Sequence, residues 1–234
     1  MKALAIDCAV SKITVAAKKD TDEVKVTLDL GTRQSEKLLP TVDFVMKEIG
    51  LEPKELDYTA VTLGPGTFTG LRLGLSTLKA LNLSFGVPVY GIPSLEAYAH
   101  PYRSAIETVL PLIEAKEEEY FYNFYIRGQR LSEDGDKTTE EILKEIDPET
   151  SVLVCGPGAK DFTESVLQNT PLYSVHCFEP ENDACESLFE IAEQMIKDGK
   201  SALKDYDGPI YVRKSEAELV REKNLKEASS KENK

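Results

Sequence analysis

Gly64-Pro65-Gly66-Thr67-Phe68-Thr69-Gly70-Leu71-Arg72-Leu73-Gly74 decides how this chain is read. Thr59 to Leu63 ahead of it is apolar and partly β-branched, so a buried strand leads in. From about Leu71 to Phe85 the apolar positions recur at helical spacing, so a helix leads out. The loop between them, residues 64–70, has two readings. Glycines allow positive φ and close backbone approach, so backbone N–H groups can converge on an anion at the helix start. Alternatively the loop is a tight turn that only lets the helix pack on its sheet. It is not a Walker loop, since it contains no Gly-Lys, and it runs G-x-G-x-x-x-G where a dinucleotide fingerprint needs G-x-G-x-x-G. Gly64, Gly66, Thr67, Thr69 and Gly70 are the candidate contacts to a nucleotide or anion, together with Asp7. That carboxylate closes the strand Ala3 to Ile6. It either holds a water or Mg²⁺ near a phosphate or caps a turn.

Working outward, Ile13, Val15 and Ala17 alternate with polar residues, as do Val24, Val26, Leu28 and Leu30. With Asp20 to Glu23 as the turn they form a hairpin. Ser35 to Ile49 has helical spacing, with Leu38, Leu39, Val42, Val45, Met46 and Ile49 on one face, and Pro40 is compatible only near the helix start. Pro88 to Tyr90 begins a strand, and Ser94 is a candidate cap for a helix through Tyr98. The second half repeats this order. It has strands at Val109 to Ile113 and Val152 to Cys155, an alternating aromatic stretch Tyr120 to Arg127, and Gly156-Pro157-Gly158. Helices are expected at Thr139 to Ile146, Ala159 to Leu167 and Ala184 to Asp198, with a last strand at Ile210 to Val212. The repeat predicts an α/β protein of two duplicated lobes with mixed sheets, residues 1–104 and 105–213, followed by a charged tail, 214–234.

The helix after the glycine loop is apolar on two sides. Leu71, Leu75, Leu78, Leu81 and Phe85 share one side, and Leu73, Ser76, Ala80, Leu83 and Ser84 the other, with Arg72 and Lys79 as a charged stripe. Such a helix needs two burial partners, its own sheet and another helix or protein. Phe44 stands opposite the apolar face of the preceding helix. The candidate interface set is Phe44, Leu71, Leu73, Leu75, Ser76, Leu78, Lys79, Ala80 and Leu83.

The chain has 234 residues, with 28 Lys+Arg against 41 Asp+Glu, a net charge of −13. That charge argues against gripping nucleic acid or an anionic membrane unaided. The apolar run at the N-terminus is too short for a signal segment or a bilayer span, so a cytoplasmic location is expected. Cys8, Cys155, Cys177 and Cys185 have no zinc spacing and are expected to be reduced thiols. No G-x-S-x-G occurs. His100-Pro101 reads as a turn, and His176 as a packed residue in a strand.

Ala3-Leu4-Ala5-Ile6-Asp7, Gln34-Ser35-Glu36-Lys37-Leu38-Leu39-Pro40, the glycine stretch through Gly74, and Val89-Tyr90-Gly91-Ile92-Pro93-Ser94-Leu95-Glu96-Ala97 occur in this order. Together they resemble the TsaB (YeaZ) family of bacterial factors for the tRNA modification threonylcarbamoyladenosine. The resemblance implies an actin/hexokinase-like (ASKHA) fold. It implies a non-catalytic subunit that pairs, through the first two long helices, with a TsaD-like catalytic paralogue. That paralogue transfers threonylcarbamoyl to N6 of adenosine 37 in tRNAs reading codons that begin with A. A TsaE-like ATPase completes the system. ATP and Mg²⁺ are then used by the partners, tRNA is met through the complex, and the isolated chain can self-associate through the same helices. Two positions depart from the family pattern: Cys8, where Thr or Ser is frequent, and Gln34, where His is common. The competing reading is a nucleotide-dependent ATPase or phosphotransferase of the same superfamily, using Asp7 and residues 64–70. A metalloprotease reading lacks zinc ligands.

Overall fold

Alternation along Lys2–Asp7 (β1) sets up the first sheet. Leu4 and Ile6 point to one face, Ala3 and Ala5 to the other, and all four are fully buried. The computed structural model describes residues 1–29, 31–116, 118–169, 174–177 and 183–213. Lys12–Lys19 (β2) and Asp22–Asp29 (β3) form the expected hairpin, turning at Asp20 with φ 56°. Tyr58–Gly64 (β4) and Val89–Pro93 (β5) run parallel to β1, and the order is β3-β2-β1-β4-β5. On the Leu4/Ile6 face lie Gln34–Glu48 (α1) and Phe68–Phe85 (α2). The alanine face, with Ala16 and Ala60, is covered by Leu188, Phe189 and Ala192 of Cys185–Lys197 (α6). Small side chains there let this helix approach the sheet closely.

Thr108–Lys116 (β6), Glu119–Tyr122 (β7), Gly135–Thr138 (β10), Val152–Cys155 (β11) and Val175–Cys177 (β12) make a second sheet in the order β10-β7-β6-β11-β12. A small hairpin, Tyr125–Ile126 (β8) and Gln129–Arg130 (β9), joins it through β6. The two main paths match strand for strand: an antiparallel pair on one side of the central strand, two parallel partners on the other. Thr139–Leu143 (α4) and Ala159–Asn169 (α5) pack on one face of the second sheet. Ser94–Ala99 (α3), from the first half of the chain, packs against β6 and α6. A continuous core therefore joins the halves.

Several local expectations are corrected. Pro40 lies inside α1, a full turn beyond its start, where it lacks the N–H that would bond four residues back. The helix after the glycine loop begins at Phe68, so Phe68, Thr69 and Gly70 are helical. Ser94 does not cap α3. Its hydroxyl accepts from the Gly64 N–H at 3.1 Å. Helix α4 opens on a Thr138–Glu141 capping box and stops at Leu143. His176 is exposed rather than packed. Ile210 to Val212 is not a strand, although the Ile210 N–H reaches the Leu63 carbonyl at 2.7 Å. Leu30 and the tail 214–234 lie outside the described residues. No helix among the described residues is long and apolar enough to cross a membrane.

Candidate functional site: the glycine loop and the outer helix face

The glycine loop is packed against the chain itself. A Cβ on Gly66 would stand 2.3 Å from the Ala9 carbonyl oxygen, and one on Gly70 2.1 Å from that of Cys8. The Thr67 N–H donates to Ala9 O at 2.7 Å. Gly64, at φ +120°, would put a Cβ 2.2 Å from Ile210 O. These glycines admit the β1–β2 turn on one side and residue 210 on the other. Thr67 and Thr69 are exposed at the start of α2. The second half repeats the device: Gly158 N–H donates to Leu112 O at 3.0 Å, and a Cβ on Gly156 would approach the same oxygen to 2.7 Å.

Asp7 is buried and holds four donors. Oδ1 accepts from the Ala9 N–H at 3.1 Å and the Thr62 hydroxyl at 3.0 Å. Oδ2 accepts from the Tyr98 hydroxyl at 2.8 Å and the Ala184 N–H at 3.3 Å. Burial pushes its pKa up, and the four hydrogen bonds pull against that shift. The Ala9 bond is the turn cap allowed for from the sequence; the bonds to Tyr98 and Ala184 tie α3 and the start of α6 to β1. With both oxygens engaged and the loop filled by backbone, these residues do not fit an Mg²⁺-nucleotide at this position. The Cys8 thiol is buried under Gly74, and burial raises its pKa well above the usual range. Gln34 Nε2 donates to the carbonyls of Val10 (2.8 Å) and Ser11 (2.6 Å), fastening the start of α1 to the β1–β2 turn.

The interface set divides by burial. Leu75 and Leu78 are buried in the core between α2 and the first sheet, and Leu71 in the core that joins the two halves, so they are not contact residues. Leu73 is half-buried against the same core. Ser76 and Ala80 are exposed, Leu83 is 89% exposed and Phe44 49%. Leu83, Ser84 and Phe85 at the end of α2 are all exposed, so Phe85, expected on the inner side, is half-exposed. Leu39 of α1, placed with the apolar face, is 64% exposed.

Lys79 is not a free charge on the outer face. Its ammonium donates to the carbonyls of Lys204 (3.0 Å) and Asp205 (2.8 Å), and to that of Asp207. Arg72 Nε donates to the Tyr211 hydroxyl at 2.8 Å, and the Tyr211 ring stacks on Phe68 at 4.2 Å between centroids. Residues 203–211 thus form a strap along α2. Nothing in the sequence marked it except the apolar Ile210 to Val212 run, which reads equally as a strand.

The family model for tRNA N6-adenosine threonylcarbamoyltransferase, TsaD, matches residues 30–228. The tRNA threonylcarbamoyladenosine biosynthesis protein TsaB of Escherichia coli is 26% identical over 232 residues, 93% of this chain and 96% of that one. The solved structure of an uncharacterized Pseudomonas aeruginosa protein with similarity to peptidase YeaZ superposes at a TM-score of 0.75 with 21% identity, over 91% of this chain and 99% of that one. A Bacteroides thetaiotaomicron protein with an actin-like ATPase fold superposes at 0.50 with 12% identity, over 81% of this chain and 95% of that one. The chain belongs to the TsaD family, as a member of its TsaB/YeaZ branch with the actin-like α/β fold.

Proposed function

We propose that the chain is the accessory, non-catalytic subunit of tRNA threonylcarbamoyladenosine biosynthesis. It pairs with a TsaD-type catalytic paralogue and activates threonylcarbamoyl transfer to N6 of adenosine 37 in tRNAs that read codons beginning with A. The observation that carries this is the outer face of α2: Leu83 is 89% exposed with Ser76 and Ala80 exposed beside it, on a helix whose opposite side is sealed into its own core. Phe44 on α1 adds a second exposed apolar residue. A helix pair contributed by each partner makes a bundle, and a stable complex needs roughly 1,600 Å² of buried surface. The saturated state of Asp7 supports a role without nucleotide chemistry of its own.

In this reading the partner and a TsaE-like ATPase use ATP and Mg²⁺. The tRNA is held mainly by the partner, because a net charge of −13 repels phosphate. The chain works in the cytoplasm, divides into lobes 1–104 and 105–213 ahead of the tail, and self-associates through the same helices when its partner is absent.

Reconstitution tests this. Purified paralogue and ATPase should form modified tRNA with the chain present and not without it. Leu83→Asp should abolish both co-elution with the paralogue and stimulation. Full modification without the chain, or heat on titrating Mg·ATP into the isolated chain, speaks for another role.

A further inference from the structure

The strap carries a turn that is held unusually firmly for a surface loop. Lys204 N–H donates to Asp207 Oδ2 at 2.8 Å, and Asp207 N–H donates back to Lys204 O at 3.1 Å. Lys79 on α2 gathers three of the turn's carbonyls from below. On one side the Leu203 N–H is fixed to Val89 O at 2.8 Å, and on the other Ile210 N–H to Leu63 O at 2.7 Å. At the apex of this pinned turn Tyr206 is 100% exposed. Beside it, Lys79, Asn82, Leu83, Leu203, Lys204 and Asp205 wall a notch of about 170 Å³. That volume takes a single side chain. An aromatic side chain on a pre-ordered backbone loses little freedom on binding, which makes it an effective anchor. Leu83 belongs both to this notch and to the outer face of α2, so the two surfaces are continuous.

We infer that the turn 204–207 is the second half of the surface that receives the TsaD-type partner, with Tyr206 as a contact residue and Lys79 as the positioning residue that holds the turn in place. This rests on the pairing proposed above. It changes what Lys79 is for: the lysine acts on the partner through the strap.

Affinity of the full chain for its purified TsaD-type paralogue tests the inference, with hydrogen exchange of the free chain alongside. Tyr206→Ala should weaken binding by about tenfold or more and leave exchange unchanged. Lys79→Ala should weaken binding and also release protection across residues 204–208. Lys79→Arg, which keeps donors for the carbonyls, should restore both. If Leu83→Asp destroys binding while Tyr206→Ala binds like the parent, this inference is overturned and the pairing stands. If the parent chain does not bind, the pairing falls and the inference with it; if Leu83→Asp and Tyr206→Ala both leave binding intact, the pairing stands but neither the outer face of α2 nor the turn is its surface, and the inference is overturned. Loss of self-association alone on Tyr206→Ala would assign the turn to a second copy of this chain and overturn the partner named here.

Discussion

The Tyr98 hydroxyl donates to Asp7 Oδ2 at 2.8 Å, and the same oxygen accepts the N–H of Ala184 at 3.3 Å. One carboxylate thereby fastens three segments far apart in sequence: the end of β1, the short helix α3, and the residue that opens α6. Its charge also lies at the N-terminus of α6, where a negative group is stabilised.

Removing that carboxylate should cost far more than removing one of its donors. Asp7→Ala leaves four buried donors without their acceptor and should destabilise the chain by at least about 3 kcal/mol. Tyr98→Phe deletes a single bond and should cost about 1–2 kcal/mol. Urea unfolding of the two variants checks the ranking; equal midpoints would show that Asp7 is not the joint described here.

The glycine loop makes a sharper contrast. Gly66→Ala and Gly70→Ala place a methyl within 2.3 and 2.1 Å of backbone oxygens that cannot step aside. Each should lower the melting temperature by more than 10 °C or prevent folding, a loss of several kcal/mol. Gly86→Ala, at φ +74° with nothing within 4 Å of the new methyl, should cost only about 1 kcal/mol. Thermal denaturation measures all three.

Leu75 and Leu83 share a helix but not a role. Leu75→Ala should destabilise the isolated chain by about 2–5 kcal/mol, because it opens a cavity beneath α2. Leu83→Asp should stay within about 0.5 kcal/mol of the parent. A marked loss of stability in Leu83→Asp would mean that its side chain is covered in the free chain.

Glu193 supplies a pH test. Its Oε1 is shared by Lys18 Nζ at 2.9 Å and the Tyr58 hydroxyl at 3.1 Å. Burial pushes its carboxyl up, but the Lys18 ammonium and the Tyr58 hydroxyl together hold it below the ordinary carboxyl value. A depressed carboxyl adds stability that is present at neutral pH and is lost as pH falls through its folded value. Glu193→Gln should therefore be less stable than the parent by about 1 kcal/mol at pH 7, with the gap closing as the pH falls below the ordinary carboxyl range and through the depressed folded-state value. A gap that stays constant with pH would refute the ion pair as its source.

Strong local periodicity made much of this molecule readable in one dimension. The hairpin, β4 with its glycine turn, α2, and the repetition of that order in the second half all follow from alternation and helical spacing. What escaped depends on contacts between distant residues. Ser94 looks like a helix cap because a serine opens an apolar stretch, yet its hydroxyl serves Gly64. Lys79 looks like a solvent-facing charge until the strap arrives from more than 120 residues later. Leu71, Leu75 and Leu78 share a helix with Leu83, and only the surrounding fold decides which leucines are sealed. Tyr98 gave no sign of its bond to Asp7, since a tyrosine on an apolar helix face reads as packing.

The alanine-lined face of the first sheet is roofed by α6, a helix that the chain makes only at residues 185–197. A nascent chain emerging from the ribosome must therefore keep Ala3, Ala5 and Ala60 waiting through most of translation. Premature termination before residue 185 leaves the earliest strands permanently roofless.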